Sequence, residues 1–184
     1  MPPAPPPPFY VITGGPGAGK TTLIEALAAD GWPVVGESGR AVIRAEQTRG
    51  GTALPWADRL AFAAAMLAQD VAAFEAARSR RTPVLFDRGI PDVLGYLLLE
   101  GLAPPAAVHD AVARHRYAET VFVCPPWPGI YATDAERKQT PEIAERTCDV
   151  MRQVYGDLGY RLVEVPRAAV DDRVRFVRAA IGAA

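Results

Sequence analysis

Short apolar runs alternate along the chain with longer stretches in which apolar residues recur at helical spacing. Five near-continuous runs predict strands that are buried on both faces, at residues 9–13, 33–36, 83–87, 120–124 and 161–165. The stretches between them predict helices at about 20–30, 39–48, 56–81, 91–101, 104–116, 141–157 and 170–182. This alternation is typical of an α/β domain, in which helices cross over between parallel strands.

The longest predicted helix, 56–81, has a stripe of apolar residues that we expect to face the core. They are Leu60, Ala64, Leu67, Val71 and Phe74. Before the first strand, residues 1–8 are rich in proline, which lacks the N–H that a sheet requires, so we predict a disordered tail. Residues 9–184 are predicted to form one domain, because a chain of this length supports one core.

Composition narrows the possible partners. A net charge of -1 argues against sequence-independent binding to nucleic acid or to an anionic membrane. We find no signal peptide and no apolar run near the ~20 residues that span a bilayer, which favours a cytoplasmic protein, as a monomer or a homodimer. Cys124 and Cys148 are not in a CxxC pair, so we expect them to be reduced and buried.

A glycine-rich loop lies between the first predicted strand and the first predicted helix. It matches the phosphate-binding pattern GxxxxGK[ST] and is followed by a second threonine: Gly14, Gly15, Pro16, Gly17, Ala18, Gly19, Lys20, Thr21 and Thr22. In such a loop successive N–H groups and the helix N-terminus face the β-phosphate of a nucleotide. We expect Lys20 to reach the β- and γ-phosphates, Thr21 to bind Mg²⁺ and Thr22 to contact the α-phosphate. A glycine-rich turn without a ligand is the structural alternative.

A carboxylate ends the third predicted strand, where a Mg²⁺-nucleotide site needs one. Asp87 follows Val84–Leu85–Phe86 and precedes Arg88. A carboxylate at this place can hold a magnesium-bound water, or it can take a proton from an acceptor hydroxyl. Both roles stay open, and a turn at the end of the strand is the structural alternative.

Further polar residues follow neighbouring strands. Glu37 and Arg40 come after the second strand, at the crevice where α/β sheets bind ligands. Asp92 and Tyr96 share a helix face just after Asp87, and we expect them to line an acceptor pocket. The alternatives are a helix-entry glutamate with a surface arginine, and an aspartate in the first turn of its helix.

A charged segment follows the fourth strand through a loop rich in proline and glycine. Residues 129–140 are predicted to form a lid in which Arg137 or Lys138, with Arg146 on the next helix, closes over the transferred phosphoryl group. A solvated helix start capped by Thr140 is the alternative.

Together these motifs resemble the small P-loop kinase-like ATPases that include the ribosylnicotinamide kinase domain and, more distantly, thymidylate kinases. The resemblance rests on GGPGAGKTT, on E-x-x-R after the second strand, on the apolar run ending in Asp-Arg at the third, and on the Arg/Lys segment after the fourth. It implies a P-loop NTPase three-layer fold with a five-stranded parallel sheet of order 2-3-1-4-5. It assigns Lys20 and Thr21 to phosphate and metal, Asp87 to metal or base, and Arg137 to the lid.

The resemblance also implies that Glu37, Arg40 and Arg88 contact the phosphoryl acceptor. The extended acceptor motif of thymidylate kinases and a clear nicotinamide-riboside signature are both missing, so the resemblance does not identify the acceptor. The sequence therefore predicts an ATP- and Mg²⁺-dependent phosphotransferase acting on a small hydroxylated metabolite or nucleoside. A nucleotide-dependent regulatory ATPase that signals through a protein partner is the alternative.

Overall fold

The computed structural model describes residues 8–128 and 140–182, and its strands are all parallel. The strands are β1 (Phe9–Gly14), β2 (Val34–Val35), β3 (Val84–Asp87), β4 (Thr120–Cys124) and β5 (Arg161–Glu164). The helices are α1 (Lys20–Ala29), α2 (Ser38–Arg49), α3 (Arg59–Ala77), α4 (Ile90–Leu99), α5 (Ala106–Arg114), α6 (Pro141–Asp157) and α7 (Val170–Ile181). The alternation predicted from the apolar pattern is thus present in the described residues.

The strands form one sheet of order β2-β3-β1-β4-β5, which confirms the predicted order. β1 lies at the centre, where Val11 is in register with Phe86 of β3 and with Val121 of β4. Because β3 pairs along β1 from Phe9↔Val84 to Ile12↔Asp87, the carboxyl end of β3 lies beside the last residues of β1. The strand ends that carry Asp87 and the glycine-rich loop are therefore neighbours.

Apolar side chains alternate between the two faces of the sheet, and each face is covered by helices. Val11, Phe86 and Val121 pack on one face with residues of α3, α5 and α6. Ile12, Leu85 and Phe122 pack on the other face with residues of α1 and α7. Burial of consecutive strand residues on opposite faces explains why the strands are continuous apolar runs, and it gives the three layers that were expected.

The buried stripe of α3 differs from the predicted one. Leu60 is 50% exposed and Ala64 is also exposed, whereas Phe62, Met66 and Phe74 are buried. The helix begins later than predicted, because the Asp58 side chain accepts the N–H of Ala61 (2.9 Å) and so caps the helix at its first turn. The prediction was therefore correct at Leu67, Val71 and Phe74, which pack against the core, and wrong at Leu60 and Ala64 in the first two turns.

By length and composition alone, α3 is apolar enough to cross a membrane. This corrects the expectation that no apolar stretch of the chain approaches that length. Its side chains Phe62, Met66 and Phe74 pack into the core of the domain, and core helices of globular proteins meet the same criterion.

Predictions were also made for the two cysteines and for the proline-rich tail. Cys124 and Cys148 are free and buried, as predicted, and the Cys148 thiol lies 3.9 Å from the Cys124 carbonyl oxygen. Residues 1–7 of the tail lie outside the described residues. Pro8 is exposed, and its carbonyl accepts the N–H of Val84 at the start of β3 (3.4 Å).

Candidate active site

The glycine-rich loop connects β1 to α1, and two of its glycines are required by close backbone approaches. A Cβ atom on Gly14, whose φ is +133°, would lie 2.2 Å from the Cys124 carbonyl oxygen. A Cβ atom on Gly15 would lie 2.3 Å from the carbonyl oxygen of Ala144 in α6. The loop is thus packed tightly against β4 and α6, in a conformation that only glycine allows at Gly14.

The lysine of the motif lies within the loop. Lys20 is 7% exposed, and its ammonium group donates to the carbonyl oxygen of Gly15 (2.7 Å). Burial, followed by the nearby charge of Arg88, lowers the pKa of Lys20 to about 8, although Cys124, Asp87 and Glu37 act in the opposite direction. The side chains of Thr21 and Thr22 are exposed on the first turn of α1, where both hydroxyls are accessible to a ligand.

Asp87 ends β3 beside the phosphate loop. Its Oδ1 atom is buried and has no hydrogen-bond partner among the described residues. Burial, and then the negative charge of Glu37, raises the pKa of Asp87. A buried carboxylate oxygen without a protein donor can accept from a metal-bound water or from a substrate hydroxyl, so the structure is compatible with both predicted roles.

The oxygen groups beside the loop are of the kind that bind a magnesium ion. Mg²⁺ prefers oxygen ligands and retains several waters, binding through one or two protein oxygens together with phosphates. The Thr21 hydroxyl and the Asp87 carboxylate are the two oxygen groups that would hold it, directly or through water. When bound, the ion would neutralise negative charge on the phosphates.

Arg88 follows Asp87 in a conformation that is unusual for a side chain. It is the one non-glycine residue with positive φ (68°) in the part of the chain that the structure describes. Its N–H donates to Ile12 O (3.0 Å), its Nε atom lies 3.3 Å from Glu37 Oε1, and its Nη1 donates to Asp92 Oδ1 (3.0 Å). A left-handed residue of this kind costs about 1–3 kcal/mol and is found mainly where the surroundings hold it at a functional site.

Alternating charges cross the crevice beside the loop. Arg40 donates to Glu37 (3.2 Å), Glu37 pairs with Arg88, and Arg88 pairs with Asp92. Burial alone would lower the pKa of Arg88, but the carboxylates of Glu37, Asp92 and Asp87 outweigh it and raise that pKa. The structure thus brings together four of the five residues that were predicted to contact the acceptor: Glu37, Arg40, Arg88 and Asp92.

Asp92 lies behind this row of charges. It is 5% exposed and accepts four hydrogen bonds: from Thr13 Oγ1 (2.6 Å), Arg88 Nη1 (3.0 Å), Gly89 N–H (2.9 Å) and Tyr155 O–H (2.7 Å). Protein donors occupy both of its oxygens, so Asp92 holds Arg88 and the start of α4 in place. Its contact with the acceptor stays a prediction.

Asp70 is a site residue that the sequence analysis missed. It lies on the buried side of α3, is 9% exposed and hydrogen-bonds Ser38 at the start of α2. Burial raises the pKa of Asp70 to about 7, and the charges of Asp92 and Glu37 add to the shift while Ser38 and Arg88 oppose it. A signal was present, because Asp70 follows Phe62 and Met66 at spacings of four along the buried stripe.

The remaining predicted residues are not brought to the loop by the described structure. Arg137, Lys138 and most of the predicted lid (129–139) lie outside the described residues. Arg146 donates to the carbonyl oxygen of Leu99 at the end of α4 (3.5 Å). Tyr96 packs edge-on against Phe62 (5.4 Å), and its hydroxyl is buried without a hydrogen-bond partner among the described residues.

A central parallel sheet of order 2-3-1-4-5, with this loop between β1 and α1, defines the class of P-loop kinase-like proteins. The AAA domain family model matches residues 9–173, so the chain belongs to the AAA domain family. No curated protein matches the sequence significantly.

Solved structures with a similar fold include a nucleoside kinase and a nucleotide kinase. The NadR protein in complex with NR matches with a TM-score of 0.69 and 18% identity over 96% of this chain, which spans 52% of that protein's length. Thymidylate kinase from Ehrlichia chaffeensis matches with a TM-score of 0.64 and 15% identity, over 97% of this chain and 100% of its own. Deoxyadenosine kinase from M. mycoides matches with a TM-score of 0.59 and 12% identity, over 95% and 98%. At these identities the comparison shows the fold.

Proposed function

We propose that this chain is an ATP- and Mg²⁺-dependent phosphotransferase that transfers the γ-phosphoryl group of ATP to a hydroxyl of a small metabolite or nucleoside. The observation that carries the proposal is the position of Asp87 beside the phosphate loop. Its buried, unpartnered carboxylate oxygen ends the strand beside the complete phosphate loop, and its charge acts on the pKa of Lys20. A kinase needs such a group next to the nucleotide, either for the metal shell or for the acceptor hydroxyl.

The charges of the crevice favour an acceptor without a carboxylate or phosphate group. Anionic substrates are usually held by an arginine whose guanidinium is available to them. Here Arg88 is already paired with Glu37 and Asp92, and Arg40 is paired with Glu37. An anionic acceptor would have to displace these carboxylates, whereas the hydroxyls of a nucleoside or polyol can donate to carboxylates.

Arg137 is the proposed lid residue. A guanidinium that arrives when the lid closes would stabilise the charge on the γ-phosphoryl oxygens in the transition state. The protein would act in the cytoplasm.

The test is ADP formation from MgATP with a panel of acceptors: nucleosides, nucleoside monophosphates, hydroxy acids and no acceptor. We expect turnover to require an uncharged hydroxylated acceptor. Lys20→Met should abolish MgATP binding or turnover, because it removes the charge placed on the phosphates. Asp87→Asn should keep MgATP affinity within a few-fold and lower turnover by about 10²–10⁴-fold, the usual contribution of a catalytic proton-transfer group.

A matched control is Asp110→Asn, which removes an exposed carboxylate on α5 that is 63% accessible and should leave turnover unchanged. ATP hydrolysis that no acceptor stimulates would favour the regulatory ATPase. Full turnover of a folded Asp87→Asn variant would remove Asp87 from the chemistry.

A further inference from the structure

A buried arginine of α7 contacts the back of the phosphate loop. Arg173 is 3% exposed, and its guanidinium donates from Nη1 to Gly19 O (2.9 Å) and from Nη2 to Ala18 O (3.1 Å). The same Nη2 lies 3.2 Å from the Cys124 thiol at the end of β4. One side chain therefore joins α7 to the loop and to the adjacent strand, across more than 150 residues of sequence.

These two carbonyls determine where two of the loop's N–H groups point. In a trans peptide unit the C=O and the N–H point in opposite directions, because the unit is planar. Ala18 O and the N–H of Gly19 belong to one unit, and Gly19 O and the N–H of Lys20 belong to the next. By holding both carbonyls on the α7 side, Arg173 turns both N–H groups towards the opposite side of the loop.

The loop needs such a contact because glycine restrains it weakly. Gly19, which joins the two peptide units concerned, has φ near +70°, and so does Gly17, which lies one residue before the first unit. Gly19 O also accepts the first helical hydrogen bond of α1, from Leu23 N–H (3.2 Å), so the second unit is held twice. Arg173 is the contact that holds the first unit.

The charge of Arg173 has no counter-ion among the described residues. No carboxylate there pairs with it: its two Nη atoms contact carbonyl oxygens and a thiol, its Cζ atom lies 5.7 Å from the centroid of the Trp127 ring, and its Nε atom is buried without a hydrogen-bond partner. A buried charge is costly unless an opposite charge accompanies it. An anion bound in the loop would supply that opposite charge from the other side of the peptide units.

We propose that Arg173 is a positioning residue for the nucleotide phosphates. It directs the N–H groups of Gly19 and Lys20 at the β-phosphate and places a second positive charge behind the loop. This inference rests on the proposed function, because it takes the anion in the loop to be a nucleotide phosphate.

The test compares MgADP affinity, measured by titration calorimetry, with the melting temperature of the ligand-free protein. Arg173→Met should lower MgADP affinity about 10- to 100-fold, as expected when one or two hydrogen bonds to a charged group are misdirected. Arg173→Lys keeps the charge but cannot hold both carbonyls as a planar fork does, so it should show an intermediate loss.

Arg178→Met is the matched control. Arg178 also lies on α7 and joins it to α1, through Asp30 (2.9 Å), but away from the loop. We expect its MgADP affinity to stay within about twofold of that of the wild type, as for an ordinary surface change.

The proposal is supported if the Arg173 variants lose MgADP affinity while the Arg178 variant, at a similar melting temperature, keeps it. It is overturned if folded Arg173→Met binds MgADP as the wild type does. Should Arg173→Met fail to melt cooperatively, Arg173→Lys decides by the same criterion. Wild-type protein that binds neither MgADP nor MgATP would refute the proposed function itself, which is a separate result.

Discussion

Replacing Asp92 by asparagine tests whether the buried carboxylate holds the site together. The asparagine side chain would have nearly the same shape, but one of its two terminal atoms becomes an NH₂ group. If that group took the position of Oδ1, it would face the Arg88 guanidinium, and at Oδ2 it would face the Gly89 N–H. Neither of these groups can accept a hydrogen bond. The hydroxyls of Thr13 and Tyr155 can turn to accept, so one irreparable mismatch remains in either orientation.

The expected loss of stability follows from that mismatch and from the lost charge. A buried donor without an acceptor costs about 1–3 kcal/mol, and removing one partner of a buried ion pair costs about 3–5 kcal/mol. The two costs cannot be added, because both include the lost interaction with Arg88. We therefore expect a total of about 3–5 kcal/mol. For a domain of this size the melting temperature should fall by roughly 6–20 °C.

Urea and thermal unfolding followed by circular dichroism would measure this loss. The control is Asp110→Asn, which removes a carboxylate with the same i,i+4 arginine spacing on an exposed surface: Asp110 lies 3.6 Å from Arg114. That variant should change the unfolding free energy by less than about 1 kcal/mol. Equal stability of the two variants would refute the idea that Asp92 organises this part of the site.

Three further outcomes are expected. Because burial lowers the pKa of Lys20 to about 8, part of the free protein lacks the Lys20 proton at pH 8.5, and phosphate binding should take up a proton. Calorimetry in two buffers of different ionisation enthalpy would detect this uptake, and Lys20→Met should abolish it. Asp70 has a folded-state pKa near 7, above its usual value, so the wild type should lose stability as the pH rises from about 4 to 7. The stability of Asp70→Asn relative to the wild type should therefore be higher at pH 8 than at pH 5 by a few kcal/mol. A difference that does not depend on pH would contradict this. Gly14→Ala should destabilise the protein by roughly 1–3 kcal/mol in thermal melts, whereas Gly36→Ala, whose Cβ meets no atom within 4 Å, should be neutral.

The fold was largely predictable because apolar periodicity reports burial directly. Strands buried on both faces are uniformly apolar, and the sheet order came from the family resemblance. The phase of α3 was not predictable in the same way. Its many alanines fit either face, and a carboxylate at Asp70 made the truly buried stripe look polar. A charged residue held by tertiary neighbours is the case in which a periodicity argument fails.

The candidate site was predictable where its residues are contiguous or end a strand. The loop from Gly14 to Thr22 is a local pattern, and Asp87 and Glu37 follow from the rule for strand ends. Arg173 carries no local pattern: it is one of 18 arginines, and only the packing of α7 on α1 brings it to the loop. Asp92 was found, and a place in the first turn of its helix was one of the two alternatives, but its bonds to Thr13 and Tyr155 join distant parts of the chain and could not be predicted.

The contact between Arg173 and the loop also sets an order of events during synthesis. Gly19 leaves the ribosome before Arg173, which follows 154 residues later. At about 5–20 residues per second that interval is roughly 8–30 s. The central strand β1 likewise has both of its neighbouring strands only after β3 and then β4 have been synthesised. A nascent chain therefore carries the glycine loop without the strand and the arginine that fix it until β4 and then Arg173 have been made.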